Sequence, residues 1–215
     1  MSEYKTNPYY THQPYFIEIL KQTTGNILEC GCGDGSTRMI KEHIKETNRK
    51  LVSLESNMQW LTKYIKLADN NHKLHYVPAS NDDNNETGNV WVDFIHKNQL
   101  NDFEIVFLDQ SPWLARIACL NYFLDKAKII IIHDFDYYPI FNVYGKVSKR
   151  ESYGDKQKIE CDLSDTIKNY KLYYPPYEYF AGASGPPTLI CSNVMDSDEF
   201  NQLLYNIEKN LHLYY

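Results

Sequence analysis

The sequence has no apolar run long enough to cross a bilayer, and its first residues lack the apolar core of a secretory signal. It also lacks any cysteine spacing typical of a zinc site or a disulfide framework, and its five cysteines are an odd number. These absences predict a cytoplasmic protein with no membrane association, in which the cysteines are reduced.

An excess of positive charge is missing as well. The 215 residues carry a formal net charge of -6, and the sequence pI is about 5.6. Proteins that bind nucleic-acid phosphates usually present a basic face, so a nucleic-acid partner is disfavoured. With 43% hydrophobic and 23% charged residues, the composition is that of a globular protein of one domain. We predict a polar N-terminal arm over residues 1–13 and one domain over residues 14–215, and a homo-oligomer is compatible with this composition.

The most informative segment covers residues 26–36 and reads NILECGCGDGS. It begins as a buried strand and ends where a helix starts, near Asp34 or Ser36. Between the two, Gly31, Gly33 and Gly35 allow a sharp turn and the close approach of a ligand to the backbone. The free N–H groups of the helix face the same place. The segment therefore predicts a cradle for a small charged ligand at the tip of a strand.

Strand and helix patterns alternate five times along the chain, which predicts an α/β fold with a doubly wound, mostly parallel sheet. Residues 171–174 and 188–192 predict two last strands, and the loop between them favours an antiparallel hairpin at one edge of the sheet. An irregular aromatic insertion is expected at about residues 135–160. A helix is predicted over residues 162–169.

Four acidic residues stand at the ends of predicted strands, namely Glu29, Glu55, Asp109 and Asp134. The carboxyl ends of parallel strands meet at one edge of the sheet, and ligands of such sheets bind outside that edge. We therefore expect these acids to surround one functional site.

Glu29 and the three glycines match the first motif, E/D-x-G-x-G-x-G, of class I S-adenosylmethionine (SAM) methyltransferases, and the chain resembles this family over roughly residues 14–193. The resemblance implies a Rossmann-like methyltransferase fold, with seven strands and a C-terminal antiparallel hairpin, and SAM as the cofactor. It places the glycine loop on the methionine part of SAM, Glu55 on the ribose hydroxyls, Asn57 near the adenine and Ser80 near the adenine amine. The cofactor-binding residues that it implies are Glu29, Gly31, Gly33, Gly35, Glu55, Asn57, Ser80 and Asp109.

Residues 109–137 are similar to the small O-methyltransferases related to macrocin methyltransferase. In those enzymes, acidic residues after the fourth and fifth strands bind a divalent cation, which orients the acceptor hydroxyl and lowers its pKa. Asp109 and Asp134 match these positions, Asp136 offers a third oxygen ligand, and His133 offers a base. Oxygen ligands of this kind imply Mg²⁺. The alternative is a metal-free reaction in which His133 takes the proton.

The expected activity is the transfer of a methyl group from SAM to a hydroxyl of a small metabolite or of a sugar-containing acceptor. Tyrosines are concentrated in the loops expected to cover the substrate side, and aromatic walls with phenol groups suit polyhydroxylated rings. The predicted catalytic residues are His133, Asp109 and Asp134. The other histidines, including His12 and His72, have no such neighbours in the sequence and are expected at the surface.

Three other functions remain open at the level of sequence. A nicotinamide-binding oxidoreductase would need a glycine where Ser36 stands, because its loop reads G-x-G-x-x-G. An amino-group methyltransferase is suggested by residues 110–113, QSPW, which resemble the N/D-P-P-Y/W loop that holds an amino group in those enzymes. The third is a non-catalytic, methyltransferase-like scaffold.

Overall fold

A seven-stranded sheet forms the centre of the molecule in this computed structural model. The structure describes residues 7–135, 163–175, 178–180, 183–184 and 186–214. The strands are β1 (Ile27–Cys30), β2 (Leu51–Glu55), β3 (His72–Tyr76), β4 (Ile105–Leu108), β5 (Ile129–His133), β6 (Asn169–Tyr173), β7 (Glu178–Phe180), β8 (Ala183–Ser184) and β9 (Thr188–Ser192). The order across the large sheet is β3-β2-β1-β4-β5-β9-β6, and β7 pairs with β8 in a separate two-stranded sheet.

Helices connect most of these strands. They are α1 (Gln13–Gln22), α2 (Thr37–Ile44), α3 (Met58–Thr62), α4 (Asn85–Lys97), α5 (Trp113–Phe123) and α6 (Ser197–Asn210), with short 3-10 helices at Pro8–Tyr10, Ile65–Leu67 and Leu211–Leu213. Among the helices of the described ranges, none combines the length and the apolar character needed to cross a bilayer.

The predicted fold class is confirmed. Strands β1 to β5 pair in parallel, whereas β9 lies between β5 and β6 and is antiparallel to both. This is the predicted Rossmann-like methyltransferase arrangement, with one antiparallel hairpin at the C-terminal end of the sheet. All five residues of β5 are buried, as expected for a central strand covered on both faces.

Alternate residues of the strands face two separate hydrophobic clusters. Leu28, Val106 and Ile130 belong to the cluster that contains the apolar side chains of α4 and α5. Ile27 and Ile129, each one position earlier, belong to the cluster that contains α1, α2 and α6. Helices therefore cover both faces of the sheet, which leaves the strand ends as the place where a ligand can approach.

Residues 7–13, the described part of the predicted N-terminal arm, pack against the rest of the protein. Pro8–Tyr10 form a 3-10 helix, and the side chain of Asn7 caps it by accepting a hydrogen bond from the backbone N of Tyr9 at 3.0 Å. Thr11 and His12 are buried, and α1 begins at the last residue of the predicted arm. The segment is held because it packs against the glycine loop, a contact that sequence periodicity does not reveal.

The helix predicted over residues 162–169 is wrong. Leu163 and Ile167 are buried in the core, and the backbone between them makes a single turn in which Ile167 N donates to Leu163 O at 2.8 Å. The chain then extends at Asn169 to pair with β9, so tertiary pairing replaces the local helical pattern. Of the insertion predicted at 135–160, only Phe135 belongs to the described residues.

The tight approach of β1 to the end of β4 gives a first prediction. Gly31 has φ +92, and a Cβ there would lie 2.6 Å from Gln110 N and 2.7 Å from the carbonyl carbon of Asp109. We expect Gly31→Ala to lower the free energy of unfolding by about 2–4 kcal/mol, because it adds backbone strain to a clash with rigid backbone. Urea denaturation followed by circular dichroism measures the change.

Gly33→Ala is the matched control. The nearest atom to a Cβ at Gly33 is the hydroxyl oxygen of Ser36 at 3.2 Å, which can move, so a loss of about 1 kcal/mol or less is expected. Equal stability of the two variants would contradict the proposed role of the β1–β4 contact.

Candidate functional site

The glycine loop joins β1 to α2 and is held from inside the protein. Gly33 N donates to the hydroxyl of Thr37 at 2.9 Å, and that hydroxyl donates to the carboxyl group of Glu29 at 3.0 Å. Ser36 occupies the N-cap position of α2, as predicted, but its side chain makes no capping bond. The loop conformation therefore depends on buried hydroxyl and carboxyl groups beneath it.

A cavity of about 400 Å³ lies on the outer side of this loop. Its walls come from the N-terminal segment, the glycine loop, α3 and the end of β4, and the lining residues are Asn7, Tyr9, Tyr10, His12, Cys32, Gly33, Asp34, Gly35, Ser36, Trp60 and Asp109. The predicted cradle at the tip of β1 is thus present, and Gly33, Gly35 and Asp109 line it.

The N-terminal segment forms the wall that sequence analysis missed. A Cβ on Gly35 would lie 2.5 Å from Cδ1 of Tyr10, so only glycine allows the two to pack together. Gln13 Nε2 donates to Gly35 O at 2.7 Å, and Thr11 donates to Pro186 O at 2.9 Å. These contacts place residues 7–12 across the loop.

Glu55 ends β2 and is 8% exposed; it does not itself line the cavity but is hydrogen-bonded to Cys32, which does. Its two carboxyl oxygens accept hydrogen bonds from backbone N–H groups, one from Cys32 at 3.0 Å and one from Asn57 at 2.8 Å. Burial raises its pKa, and these two hydrogen bonds oppose the shift. Each oxygen retains a further lone pair, so the carboxylate is oriented and still able to accept two hydroxyl groups.

Asn57 and Ser80, which the resemblance places near the adenine, make hydrogen bonds within the protein. Asn57 caps α3 by accepting a hydrogen bond from Trp60 N at 3.0 Å. Ser80 is hydrogen-bonded to the hydroxyl of Thr87 at 3.0 Å and does not line the cavity.

The start of α5 is held by a neighbouring loop. Asp83 Oδ1 accepts a hydrogen bond from Leu114 N at 2.7 Å, a backbone N–H that has no partner within the helix. Pro112 occupies the N-cap position of α5.

Asp109, His133 and Asp134 meet at the ends of β4 and β5, as predicted. His133 Nδ1 lies 3.3 Å from Asp109 Oδ1 and 3.6 Å from Asp134 Oδ1. Ligand atoms of the three residues all lie within 4.8 Å of one another. Asp136, the third predicted metal ligand, lies outside the described residues.

Arg116 of α5 occupies the centre of this group, and sequence analysis did not identify it. Its guanidinium donates to three backbone carbonyls, those of Gln110 at 2.6 Å, His133 at 2.7 Å and Asp109 at 3.0 Å. It also lies 3.1 Å from Asp109 Oδ1 and 3.7 Å from Asp134 Oδ2. The ring of Trp113 stacks on it at 3.8 Å. The sequence did offer a signal for Arg116, because it is the one charged residue of α5, a helix that is otherwise mostly apolar.

Proton positions follow from the partners of His133. Thr11 gives its single hydroxyl proton to Pro186 O, so the bond of 3.0 Å between Thr11 Oγ1 and His133 Nε2 requires an N–H on Nε2. Nδ1 faces the carboxylate of Asp109, which requires a second N–H. Burial alone would lower the pKa of His133, but the charges of Asp134 and Asp109 outweigh it and raise the pKa. His133 is therefore an imidazolium that donates from both nitrogens.

The pKa values of Asp109 and Asp134 are shifted in opposite directions, although both acids face His133 and Arg116. Burial alone would raise the pKa of Asp109, but His133 and Arg116 lower it, so Asp109 is ionised, and its side chain is 22% exposed toward the cavity. Burial dominates at Asp134 and raises its pKa against the charges of His133 and Arg116. Asp109 is thus the acid whose ionised form is favoured by its neighbours and which also lines the cavity.

His12 was expected at the surface and is instead 1% exposed. Its ring packs against Phe107 at 4.9 Å and against His133 at 4.7 Å. Burial and the neighbouring charge of His133 lower its pKa to about 3, so this imidazole is neutral. The Gly35 carbonyl favours the charged form slightly but does not meet hydrogen-bond geometry, and neither ring nitrogen has a hydrogen-bond partner among the described residues.

Comparison with known proteins shows the fold. Neither a protein-family model nor a curated protein sequence matches the chain. The chain is similar to human methyltransferase-like protein 13 in complex with S-adenosylhomocysteine (SAH), with 9% identity and a TM-score of 0.54, over 96% of this chain and 93% of that one. It is also similar to an O-methyltransferase from Bacillus cereus in complex with SAH, with 13% identity and a TM-score of 0.48, over 84% and 80% of the two chains. A third similar structure is MycE methyltransferase of the mycinamycin biosynthetic pathway with Mg and SAH, with 12% identity and a TM-score of 0.47, over 92% and 55%. At these identities the likeness shows the Rossmann-like methyltransferase fold alone.

The position of Arg116 generates the prediction for this site. We expect Arg116→Met to lower the free energy of unfolding by about 3–5 kcal/mol, because it leaves buried acids and carbonyls without their partner. The matched control is Arg38→Met. Arg38 pairs with Asp34 at 3.5 Å, but its side chain is 57% exposed, so a change of about 0–0.5 kcal/mol is expected. Urea denaturation compares the two, and similar small losses would contradict a central role for Arg116.

Proposed function

We propose that this protein is a SAM-dependent methyltransferase. The observation that carries the proposal is the cavity on the glycine loop, in a methyltransferase fold. One of its lining residues, Cys32, donates its backbone N–H to the carboxylate of Glu55, which Asn57 N orients as well. Gly33 lets a ligand lie against the loop backbone, whereas Gly35 lets Tyr10 pack beside it as part of the wall. Glu55 offers two acceptors to a pair of ribose hydroxyls, which is the role that the family resemblance gives to this position.

The charges of the cavity fit SAM, whose sulfonium is a cation. Asp34 and Asp109 line the cavity and are acidic, whereas the imidazole of His12 is neutral and adds no opposing charge. Bound SAM supplies an activated methyl group, and the residues of the chain need only bind and orient the acceptor and accept its proton.

We infer that Asp109 orients the acceptor hydroxyl and accepts its proton as the methyl group is transferred. It is the one member of the predicted catalytic group that lines the cavity, and His133 and Arg116 keep it ionised. His133, which donates from both nitrogens, has no free lone pair with which to act as the first base. It holds Asp109 in position instead, and Asp134 adds to the charge that keeps His133 protonated. A hydroxyl of a small metabolite or sugar-containing acceptor is the proposed methylation site.

Divalent metal ions do not fit the arrangement of these side chains. Arg116 lies where a cation between Asp109 and Asp134 would be, and His133 presents a proton to the same carboxylates. The two acids are thus already compensated by two cationic groups. We propose a reaction that does not use Mg²⁺.

The amino-group alternative is weakened by the same contacts. A loop that holds an amino group uses backbone carbonyls, but the carbonyls of Asp109 and Gln110 accept from Arg116. Gln110 is 2% exposed and its side-chain amide has no hydrogen-bond partner among the described residues, so the first side chain of that motif is buried rather than presented.

Calorimetric titration with SAH tests the proposed cofactor. We expect a dissociation constant of about 1–100 µM for the unaltered protein. Glu55→Gln should weaken binding by about tenfold or more, because the amide replaces one acceptor oxygen with a donor. Glu86→Gln is the control, since Glu86 is exposed on α4, far along the chain from the glycine loop. Absence of SAH binding to the unaltered protein would exclude the proposed function.

Mg²⁺ titration tests the metal-free form of the reaction. With Arg116 in place, addition of about 1 mM Mg²⁺ should produce no binding heat and should leave the SAH affinity unchanged. Heat from Mg²⁺ binding that disappears in Asp109→Asn would show that a cation displaces Arg116, and would restore the metal-dependent alternative.

A further inference from the structure

Three buried polar side chains lie in a line beneath the glycine loop, on β1, β2 and β3. Glu29 Oε2 is 2.6 Å from Ser53 Oγ, and Ser53 Oγ is 2.9 Å from His72 Nε2. His72 Nδ1 is in turn 3.1 Å from Leu67 O. Glu29, Ser53 and His72 are each 0% exposed, so water cannot complete this chain of hydrogen bonds.

Counting hydrogens shows that the chain needs one proton more than an ionised Glu29 and a neutral His72 can supply. Leu67 O only accepts, so His72 Nδ1 must carry a hydrogen. If His72 is neutral, Nε2 must then accept from the Ser53 hydroxyl. Ser53 has no second hydrogen for Glu29, and a carboxylate oxygen at 2.6 Å from Ser53 Oγ would face a lone pair.

Two arrangements satisfy every contact. In the first, Glu29 is protonated and donates to Ser53, which donates to neutral His72. In the second, His72 is charged and donates to Ser53, which donates to ionised Glu29. Both hold the same extra proton, and they differ in whether Glu29 acts as donor or acceptor.

We propose that Glu29, Ser53 and His72 form a proton-holding triad that positions the glycine loop, with the proton on Glu29. In this role Glu29 is a positioning residue, which acts on the loop through Thr37. Thr37 Oγ1 lies 3.0 Å from both oxygens of Glu29 and accepts the N–H of Gly33 at 2.9 Å. The effect on SAM binding rests on the proposed function, whereas the protonation of the triad does not.

The groups around the triad favour the neutral arrangement. Burial, with a smaller contribution from the charge of Asp109 at the end of β4, raises the pKa of Glu29 to about 7 against the opposing hydroxyl hydrogen bonds. Burial lowers the pKa of His72, Lys41 of α2 lowers it further, and Leu67 O and Asp69 oppose the shift. Lys41 is paired with Asp69, which reduces what either contributes.

The predicted pH dependence follows from the raised pKa of Glu29. The folded protein holds the proton more tightly than the unfolded chain, whose carboxyl has the ordinary value of 4.5. The stabilisation is fully present below that value and is lost as the pH rises through about 7. Glu29→Gln should lack this loss, because a neutral amide can donate to Ser53 and accept from Thr37 at any pH.

Urea denaturation from about pH 5 to pH 8 tests the triad with no ligand present. We expect the unaltered protein to lose stability relative to Glu29→Gln across this range, with Glu86→Gln parallel to the unaltered protein. A constant difference between the unaltered protein and Glu29→Gln would overturn the proposal. Collapse of Glu29→Gln at every pH would overturn it too, because it would show that His72 is charged and needs a carboxylate.

SAH titration tests the action on the loop. Glu29→Gln should bind within about threefold of the unaltered protein, whereas Glu29→Ala should bind about tenfold more weakly. Equal affinity of both variants would show that the triad does not position the loop. If the unaltered protein does not bind SAH, the proposed function fails while the pH series still decides whether the triad holds a proton.

Discussion

The guanidinium of Arg116 is the interaction on which the site depends. Three backbone carbonyls, two just after β4 and one at the last residue of β5, accept hydrogen bonds from this one cation. The same cation compensates the two acids that follow the strands. Without it, Asp109 and Asp134 would lie close together in a buried place with only His133 between them. The positions of the acids follow from this arrangement, and so does the proposed misfit to a divalent metal. The acids in turn raise the pKa of His133 against the opposing charge of Arg116.

The sequence predicted the sheet and the placement of the site on it. An apolar strand that is followed by a glycine or an acid, such as Ile27–Cys30 before Gly31, can be located from the sequence alone. The residues that form the strand and the turn are neighbours in the chain, so their pattern is visible there. The antiparallel hairpin of β6 and β9 was predicted from the connection between them, whereas the order of the strands was not predicted. The helix over residues 162–169 failed because its apolar residues, Leu163 and Ile167, serve the core in a single turn.

The sequence could not show which polar side chains make hydrogen bonds within the protein and which are left for a ligand. Asn57 and Ser80 were assigned to a ligand, and here they bond the backbone or a neighbouring hydroxyl. His12 and His72 were assigned to the surface, yet both are buried. No periodic pattern marks such residues, because their partners lie on other strands and are brought near only by the fold. The acids at strand ends were found because topology alone places them together.

The bonds of Thr11 connect the assembly of the site to the completion of the fold. Its hydroxyl joins His133, 122 residues away, and Pro186, 175 residues away. Contacts of such sequence separation form late, since much of the intervening chain must be ordered first. The imidazolium of His133 and both bonds of Thr11 therefore exist only once β5 and the approach to β9 are in place. A chain still emerging from the ribosome would have the contact of residues 7–12 with the glycine loop but would lack these two bonds, so the final fixing of this wall belongs to the finished molecule.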